Sequence, residues 1–368
     1  MSVSSSVEGS ALDCPIGSYP DADQLVREAV RWHFGPDTGS RFWLDRLPKL
    51  GFDPIEEIRT FADLAKFPNV VNDLRDIRVE DLIPQGLRSA DVYGVYESGG
   101  TTGAPKRVLC THEWMDRWLA FSEQQFRKRG QEPGGNWLGI MPSGPHIFGA
   151  ALKEQAHRGG GLLFTIDMDP RWVKKRIAGG DLEGAGAYAA HLIEQATYLL
   201  ETQDIAVMVT TPALLERMAA DPHLADLINR KVHYIQWGGM HMDADTRHLF
   251  RTEVFPGITL QGGYGSTMVC GGSMERIGLR DDEPCIFDPL GPFIAFNVVD
   301  PQTRQPVPYG ERGQVVMNLV SKGMFLPNNP ERDTALRFEA QPGMPGDAVA
   351  DVEPLKSFDE TTVIEGVY

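Results

Sequence analysis

Between Ser98 and Pro105 the sequence places three glycines, two threonines, a serine and a proline, and Lys106 follows. In full the stretch reads YESGGTTGAPKRV, Tyr96 to Val108. It holds almost nothing apolar, so it cannot build a core. Its chemistry points elsewhere. Glycines let backbone N–H groups converge on an oxygen with no Cβ in the way. Ser98, Thr101 and Thr102 add hydroxyl donors, Lys106 adds a charge, and Pro105 stiffens the approach. That is the donor set of a polyphosphate cradle. The loop pattern G-x-x-x-x-G-K-[ST] does not fit, because Gly103 is followed by Ala104 and Pro105 and no Ser or Thr follows the lysine. The competing reading is a flexible Gly/Ser/Thr surface linker. The Pro-Lys step directly before the strand-like RVLCT argues against it.

A cradle needs elements to hold it. Strand-like runs occur at 136–143, 161–167, 205–211, 232–237 and 258–265, with helical stretches at 111–129, 185–201, 212–220 and 243–255 between them. Alternating strand and helix predicts a largely parallel sheet covered by helices, with ligands at the carboxyl ends of the strands. Thr211 before Pro212 is a helix start, with an N-cap hydroxyl and proline at the first helical position. Residues from about 20 to 85 read as mostly helical, in DADQLVREAVRWHF and IRTFADLAKFP, from their three- and four-residue apolar spacing. After 285 the pattern changes. FIAFNVVD (293–300) and GQVVMNLV (313–320) read as strands joined by a turn-rich segment. The expected organisation is a disordered tail over 1–15, an α/β body over 16–285, and a β-rich, barrel-like part over 286–368.

The net charge of −16 over 368 residues disfavours a nucleic-acid partner, since phosphate backbones need a basic face. Cys14, Cys110, Cys270 and Cys285 have no metal-ligand spacing and read as isolated thiols of a reducing compartment. The N-terminal MSVSSSVEGSALDCP lacks a basic start and an apolar core, so no secretory leader is expected there. No apolar run approaches the ~20 residues of a membrane span. A cytoplasmic protein is expected, with neither membrane nor nucleic acid as partner. His33, His157, His191, His223 and His248 lie in or beside helical stretches without metal-ligand spacing.

YESGGTTGAPKRVLCTH resembles the signature loop of the adenylate-forming superfamily, which includes acyl-CoA synthetases, nonribosomal peptide synthetase adenylation domains and luciferases. Further segments follow in the family's order. MPSGPHIFGA (141–150) resembles P-x-x-x-H-x-x-G, with His146 and Gly149 in place. YIQWGGMHMDADTRHLF (234–250) resembles the strand that ends in a small-residue turn against the nucleotide. LQGGYGSTM (260–268) resembles G-Y-G-x-T-E, YGERGQVVMN (309–318) resembles G-E-x-G-E, and MPGDAVADV (344–352) resembles T-G-D.

The resemblance implies ATP-dependent activation of a carboxylate to an acyl-adenylate with release of pyrophosphate. It implies ATP and Mg2+ as cofactors and a small carboxylic acid as substrate. Ser98, Gly99, Gly100, Thr101, Thr102, Gly103 and Lys106 would cradle the departing pyrophosphate. Tyr264 would stack on adenine within the Gly265–Ser266 segment, with Gly238 and Gly239 framing the base. Thr267 would touch the α-phosphate, and Asp347 would accept from the ribose hydroxyls. His146 and Phe148, with Trp237 and Gly238, would wall the acyl pocket. Lys106, Thr267 and His146 are thus the candidate catalytic residues. Without the motif order, Tyr264 and Trp237 would read as core aromatics and His146 as a structural histidine.

The chain departs from the family pattern in several places. Glu97 and Arg107 stand where Thr and Gly are usual in the signature loop, and Gly100 replaces its first Thr. Met268 stands where a Mg2+-holding Glu is usual; a thioether is a poor ligand for this ion, and Glu275 is the nearest acid after it. Family members continue past the T-G-D segment into a small C-terminal domain carrying a lysine that promotes adenylation. Here 21 residues follow Asp347, so the large domain without the small one is expected. In this the chain is similar to the short adenylating proteins of antibiotic biosynthesis, which makes an aromatic acid, such as a phenazine carboxylate, the expected substrate and a separate acceptor or transferase the expected partner. Two other readings stay open: a nucleotide-binding scaffold without catalysis, and a piece of an aryl- or acyl-CoA ligase.

Overall fold

A computed structural model describes residues 10–99, 104–132, 134–280, 283–355, 357–358 and 361–362. Its centre is the expected parallel sheet. Strands β3 (Asn136–Met141), β4 (Leu163–Asp167), β5 (Ile205–Thr210), β6 (Tyr234–Gly238) and β7 (Thr259–Ser266) pair in parallel in the order β4-β3-β5-β6-β7. Both faces are buried, and the two-residue alternation shows how. Trp137, Met141, Val207, Val209 and Tyr234 join Phe126 of α4 (His112–Lys128) and Leu152 of α5 (Ile147–Arg158). Their sequence neighbours Leu138, Ile140, Met208 and Ile235 join the larger core with Leu192, Ala196 and Leu200 of α7 (Leu182–Thr202).

Helices α6 (Pro170–Ala178), α8 (Pro212–Ala219), α9 (Pro222–Lys231) and α10 (Ala244–Leu249) complete this body. The Thr211 hydroxyl caps α8 by accepting from Leu214 N–H, as its position before proline predicts. Periodicity missed α5, α6 and α9. The last two each open on an Asp-Pro step, with the Asp capping and the proline at the first helical position.

The sheet continues through antiparallel strands β8 (Gly271–Glu275) and β9 (Ile286–Pro289) into β13 (Asp347–Pro354), β12 (Phe325–Glu339), β11 (Arg312–Val320) and β10 (Ile294–Val299). Phe296 of β10 also pairs with Asp347 of β13, which brings the ends of these last four strands together as a small barrel. β12 was not legible in FLPNNPERDTALRFE, because two prolines and five charges mask a strand pattern. It forms because register shifts against β11 absorb Pro327 and Pro330, with Asn328 at φ +54° beside them.

The N-terminal part is less helical than expected. Only α1 (Ala22–Phe34) is long; α2 (Arg41–Leu44), α3 (Pro54–Glu57) and several single 3₁₀ turns follow. Pro48, Pro54, Pro68 and Pro84 interrupt any longer helix. This part fixes the start of β12: Phe34, Trp43 and Phe67 pack around Phe325, and Trp43 Nε1 donates to the Phe325 carbonyl at 2.9 Å.

His33 lies in the same cluster, fully buried and stacked on Phe325. One ring nitrogen meets the Ser321 carbonyl at 2.8 Å; Nδ1 finds no partner among the described residues. Burial pushes its pKa from 6.5 down to about 4. The unfolded chain therefore binds a proton that the native state excludes. Stability should be complete above about pH 6.5 and fall towards pH 4, by up to about 3 kcal/mol from this group. Urea unfolding of His33→Phe against the parent should show their stability difference shifting in the variant's favour over that window.

Candidate active site

The signature loop hangs from a hairpin of β1 (Val92–Glu97) and β2 (Arg107–Thr111). Gly100, Thr101, Thr102 and Gly103 lie outside the described residues. The base of the loop is closed by two bonds: Ser98 N–H donates to the Lys106 carbonyl at 2.9 Å, and Lys106 N–H donates to Ser98 Oγ at 3.0 Å. The two residues that depart from the family pattern here are partners. Glu97 and Arg107 face each other across the hairpin, and Arg107 Nε reaches Glu97 Oε1 at 3.0 Å. Arg171 of α6 joins them, donating to Glu97 Oε2 at 2.8 Å and to the Ser98 carbonyl at 3.0 Å. Burial works to raise the Glu97 pKa, but the bonds from Arg171 and Arg107 outweigh it and the carboxyl sits low.

This ion-pair knot holds the stalk of the loop. Arg171→Ala removes two charge-assisted bonds, each worth roughly 1.5–3 kcal/mol when buried and less at this exposure. The apparent affinity for ATP should fall by about tenfold with little change in melting temperature. Titration with ATP checks this.

Glu97 N–H also donates to the Pro145 carbonyl at 2.7 Å, which ties the loop to the segment carrying His146. His146 is the N-cap residue just before α5, half-buried, with its pKa lowered by burial and then by Arg171. Phe148 is 38% exposed on α5. Neither residue lines the main cleft.

That cleft, about 420 Å³, opens at the carboxyl ends of β6 and β7 and faces β12 and β13. Its walls include Trp237, Gly239, Tyr264, Gly265, Arg332 and Asp333. Local sequence explains the shape. Gly239 has φ +79°, a left-handed turn that glycine adopts without strain. A Cβ on Gly262 would lie 2.7 Å from the Trp237 ring and 3.0 Å from Phe287, so glycine there makes room for the indole. Gly238 lies beside this turn, paired with Gly263. The Tyr264 ring packs 5.7 Å from Phe296 and 6.1 Å from Phe287, and its hydroxyl donates to Asp333 Oδ2 at 3.1 Å. Burial pushes the phenol pKa well up, and the Asp333 and Glu331 charges push it the same way.

Asp347 is not in this cleft. It is 1% exposed at the barrel closure, where Oδ1 accepts from Arg337 Nε at 2.8 Å and Oδ2 from Val298 N–H at 3.0 Å. The carboxylate beside Tyr264 is Asp333. A signal for it exists: Glu331-Arg332-Asp333 also ends on Asp and follows the 309–318 segment more closely, but it lacks the glycine that MPGD retains. Thr267 is half-buried in the 3₁₀ turn Thr267–Val269, and Ser266 caps that turn by accepting from Met268 N–H. Met268 itself is buried in the core. Glu275 is also excluded from the cleft: it is 4% exposed, bonded to Arg251 at 2.7 Å and to Gly262 N–H at 2.9 Å.

Comparison with known proteins bears on the fold. Residues 184–323 match the AMP-binding enzyme family. The match includes β6, β7 and the Tyr264 segment. The phenylacetate-coenzyme A ligase of Pseudomonas putida is 25% identical over 289 residues, covering 75% of this chain and 57% of the relative. That of Aromatoleum evansii is 26% identical over 279 residues, 73% of this chain and 55% of the relative. The chain thus spans little more than half the length of these relatives. A crystal structure of an open conformation of 2-hydroxyisobutyryl-CoA ligase, in complex with 2-HIB-AMP and CoA, aligns with a TM-score of 0.63 at 13% identity, over 93% of this chain and 76% of that one. ATP-bound MatB from Rhodopseudomonas palustris aligns with a TM-score of 0.51 at 16% identity, over 73% of this chain and 49% of that one. Identities this low speak for the fold alone, and the chain shares the fold of these structures, as the motifs led us to expect. Among the described residues no helix is long and apolar enough to cross a membrane.

Proposed function

We propose that this AMP-binding enzyme domain activates a carboxylic acid with ATP, giving an acyl-adenylate and pyrophosphate. The observation that carries the reading is the placement of Tyr264 and Asp333 in one cleft with the Gly239 turn, within the matched family fold. Adenine stacks on Tyr264 against that turn. Asp333 accepts from the ribose hydroxyls, which is the role first expected of Asp347. The polyphosphate runs towards Lys106 and the signature loop.

In the reaction a carboxylate oxygen attacks the α-phosphorus. The bond from that phosphorus to the bridging oxygen breaks, and pyrophosphate leaves with the electron pair. Two anions must meet, so the protein's contribution is electrostatic and positional. Lys106 and the loop N–H groups take up charge on the departing pyrophosphate. Thr267 contacts the α-phosphate. Mg2+ bound with ATP supplies further charge neutralisation. Met268 and Glu275 do not fit as its ligands, the first for its sulfur and the second for its bonds to Arg251 and Gly262, whereas Asp333 offers a hard oxygen in the cleft.

The acid is aromatic in this reading. The flat rings of Trp237, Phe287 and Tyr264 support that choice, as do relatives named for phenylacetate. A phenazine carboxylate and an antibiotic pathway are the finer form of the proposal. The acyl-adenylate forms without CoA, and a separate acceptor or transferase completes the transfer. Pyrophosphate release should depend on acid, favour aromatic over fatty acids, and stay unchanged when CoA is omitted. Acid-independent release, or a strict need for CoA, would sink the reading.

A further inference from the structure

Two buried side chains of the cleft carry donors without acceptors. Arg247 of α10 is 3% exposed and lines the cleft. Its Nη2 donates to the Glu283 carbonyl, while its Nε is buried with no partner. Among the described residues no carboxylate stands at ion-pair distance from this guanidinium. Trp237, also 3% exposed and also lining the cleft, leaves its indole Nε1–H without an acceptor. The acids of the same cleft are engaged elsewhere. Asp333 accepts from Tyr264, Asp351 is paired with Arg312, and Glu353 lies 3.7 Å from that same arginine. Buried polar groups are nearly always hydrogen-bonded, and a guanidinium taken out of water is costly unless an anion meets it. A small-molecule site combines apolar walls with a few convergent polar groups that orient the ligand. Here Met242, Phe287 and Leu336 are among the apolar walls, and the two unmet groups are both donors, one of them charged.

The proposed acid lies with its ring against Trp237 and Phe287, in the part of the cleft that holds these donors. We infer that this acid carries a second carboxylate and that Arg247 binds it, with the Trp237 indole as a supporting donor. The substrate class is then an aromatic diacid. One carboxylate attacks the α-phosphorus and the other stays ionised on Arg247, which orients the ring and decides which of the two is activated. The inference rests on the adenylation reading. The planar fork of a guanidinium matches a carboxylate in geometry and charge. A site built on such a donor discriminates strongly, because an analogue without the acceptor leaves the donor buried and unpaired. The competing role is structural: Arg247 only anchors the chain at Glu283 and meets no ligand.

ATP–pyrophosphate exchange by the full chain separates the two, with isophthalate, terephthalate and naphthalene-2,6-dicarboxylate each compared with its monomethyl ester. For the parent, kcat/KM should favour at least one diacid over its ester by about 10–100-fold, with the difference in KM. Arg247→Met should cut that preference to about twofold or less, and Arg247→Lys should retain part of it. AMP affinity of both variants should stay within about twofold of the parent and reports an intact cleft. A structural role would instead lower the melting temperature and slow diacid and ester alike. If the parent uses esters as well as diacids, the second carboxylate is wrong while the adenylation reading stands. If the preference survives Arg247→Met, or that variant loses AMP affinity as much as exchange, the assignment to Arg247 is wrong. If Arg247→Met does not fold, the preference of Arg247→Lys against the parent decides, and an unchanged preference overturns the assignment. If no acid supports exchange, the adenylation reading and this inference fall together.

Discussion

Lys106→Ala should lower acid-dependent ATP–pyrophosphate exchange by about 10²–10³-fold while AMP affinity stays within about twofold of the parent. The asymmetry follows from where Lys106 sits. Its backbone closes the base of the loop through Ser98, and those two bonds do not need the side chain. In the proposed reaction its ammonium serves the pyrophosphate, which AMP lacks. Charge on the leaving group grows as the bond to the α-phosphorus breaks, so the lysine interacts more strongly with the transition state than with bound AMP. Lys106→Arg should recover part of the rate, since charge returns on a bulkier head. An equal loss of AMP affinity and exchange would place Lys106 in the scaffold of the cleft instead.

The second large effect contrasts two aspartates. Asp333→Asn should weaken AMP binding by roughly 10–100-fold, the value of about 1.5–3 kcal/mol for a hydrogen bond to a charged group, and should change stability little. Asp347→Asn should do the reverse. Its carboxylate is 1% exposed and bonded to Arg337 and the Val298 N–H, so the change leaves Arg337 facing a neutral partner in the barrel closure. Breaking such a pair costs about 3–5 kcal/mol in well-buried cases, and Arg337, partly exposed, brings the expectation to the lower end. Burial alone would raise the Asp347 pKa, and does so despite both bonds. Its ionisation in the fold therefore costs stability at neutral pH, and the loss expected of Asp347→Asn comes from Arg337 being left without its partner charge. Urea unfolding and AMP titration of the two variants, read side by side, decide the assignment.

Much of this site could be read from residues in sequence. The parallel strands announce themselves because both faces are buried, so runs such as IAVMV within β5 are apolar throughout. Tyr264, Trp237 and the glycines at 238–239 fall where strands end, and they do line or flank the cleft. Long-range relations were not legible. Asp333 lies 69 residues beyond Tyr264, on a strand whose prolines hide it, and only folding joins the two. His146 and Phe148 belong to a helix whose start was not anticipated, and the exposure of Phe148 could not be guessed from a motif. Glu97 and Arg107 looked like two separate departures in sequence. The hairpin makes them one ion pair, completed by Arg171 from a helix that periodicity did not reveal.

The same lesson applies to Met268. Read alone, it looks like a lost metal ligand and favours a scaffold over an enzyme. In the fold its side chain is 4% exposed and packs in the core, a role that its place in a motif does not reveal.

The central claim is that this cleft makes acyl-adenylates. ATP–pyrophosphate exchange with Mg2+, across aromatic, heteroaromatic and fatty acids, tests it most directly. Exchange that requires an aromatic acid, persists without CoA, and is lowered about 10²–10³-fold by Lys106→Ala and strongly reduced by Asp333→Asn is the predicted result. ATP binding without exchange on any acid would contradict the claim and leave a nucleotide-binding scaffold in its place.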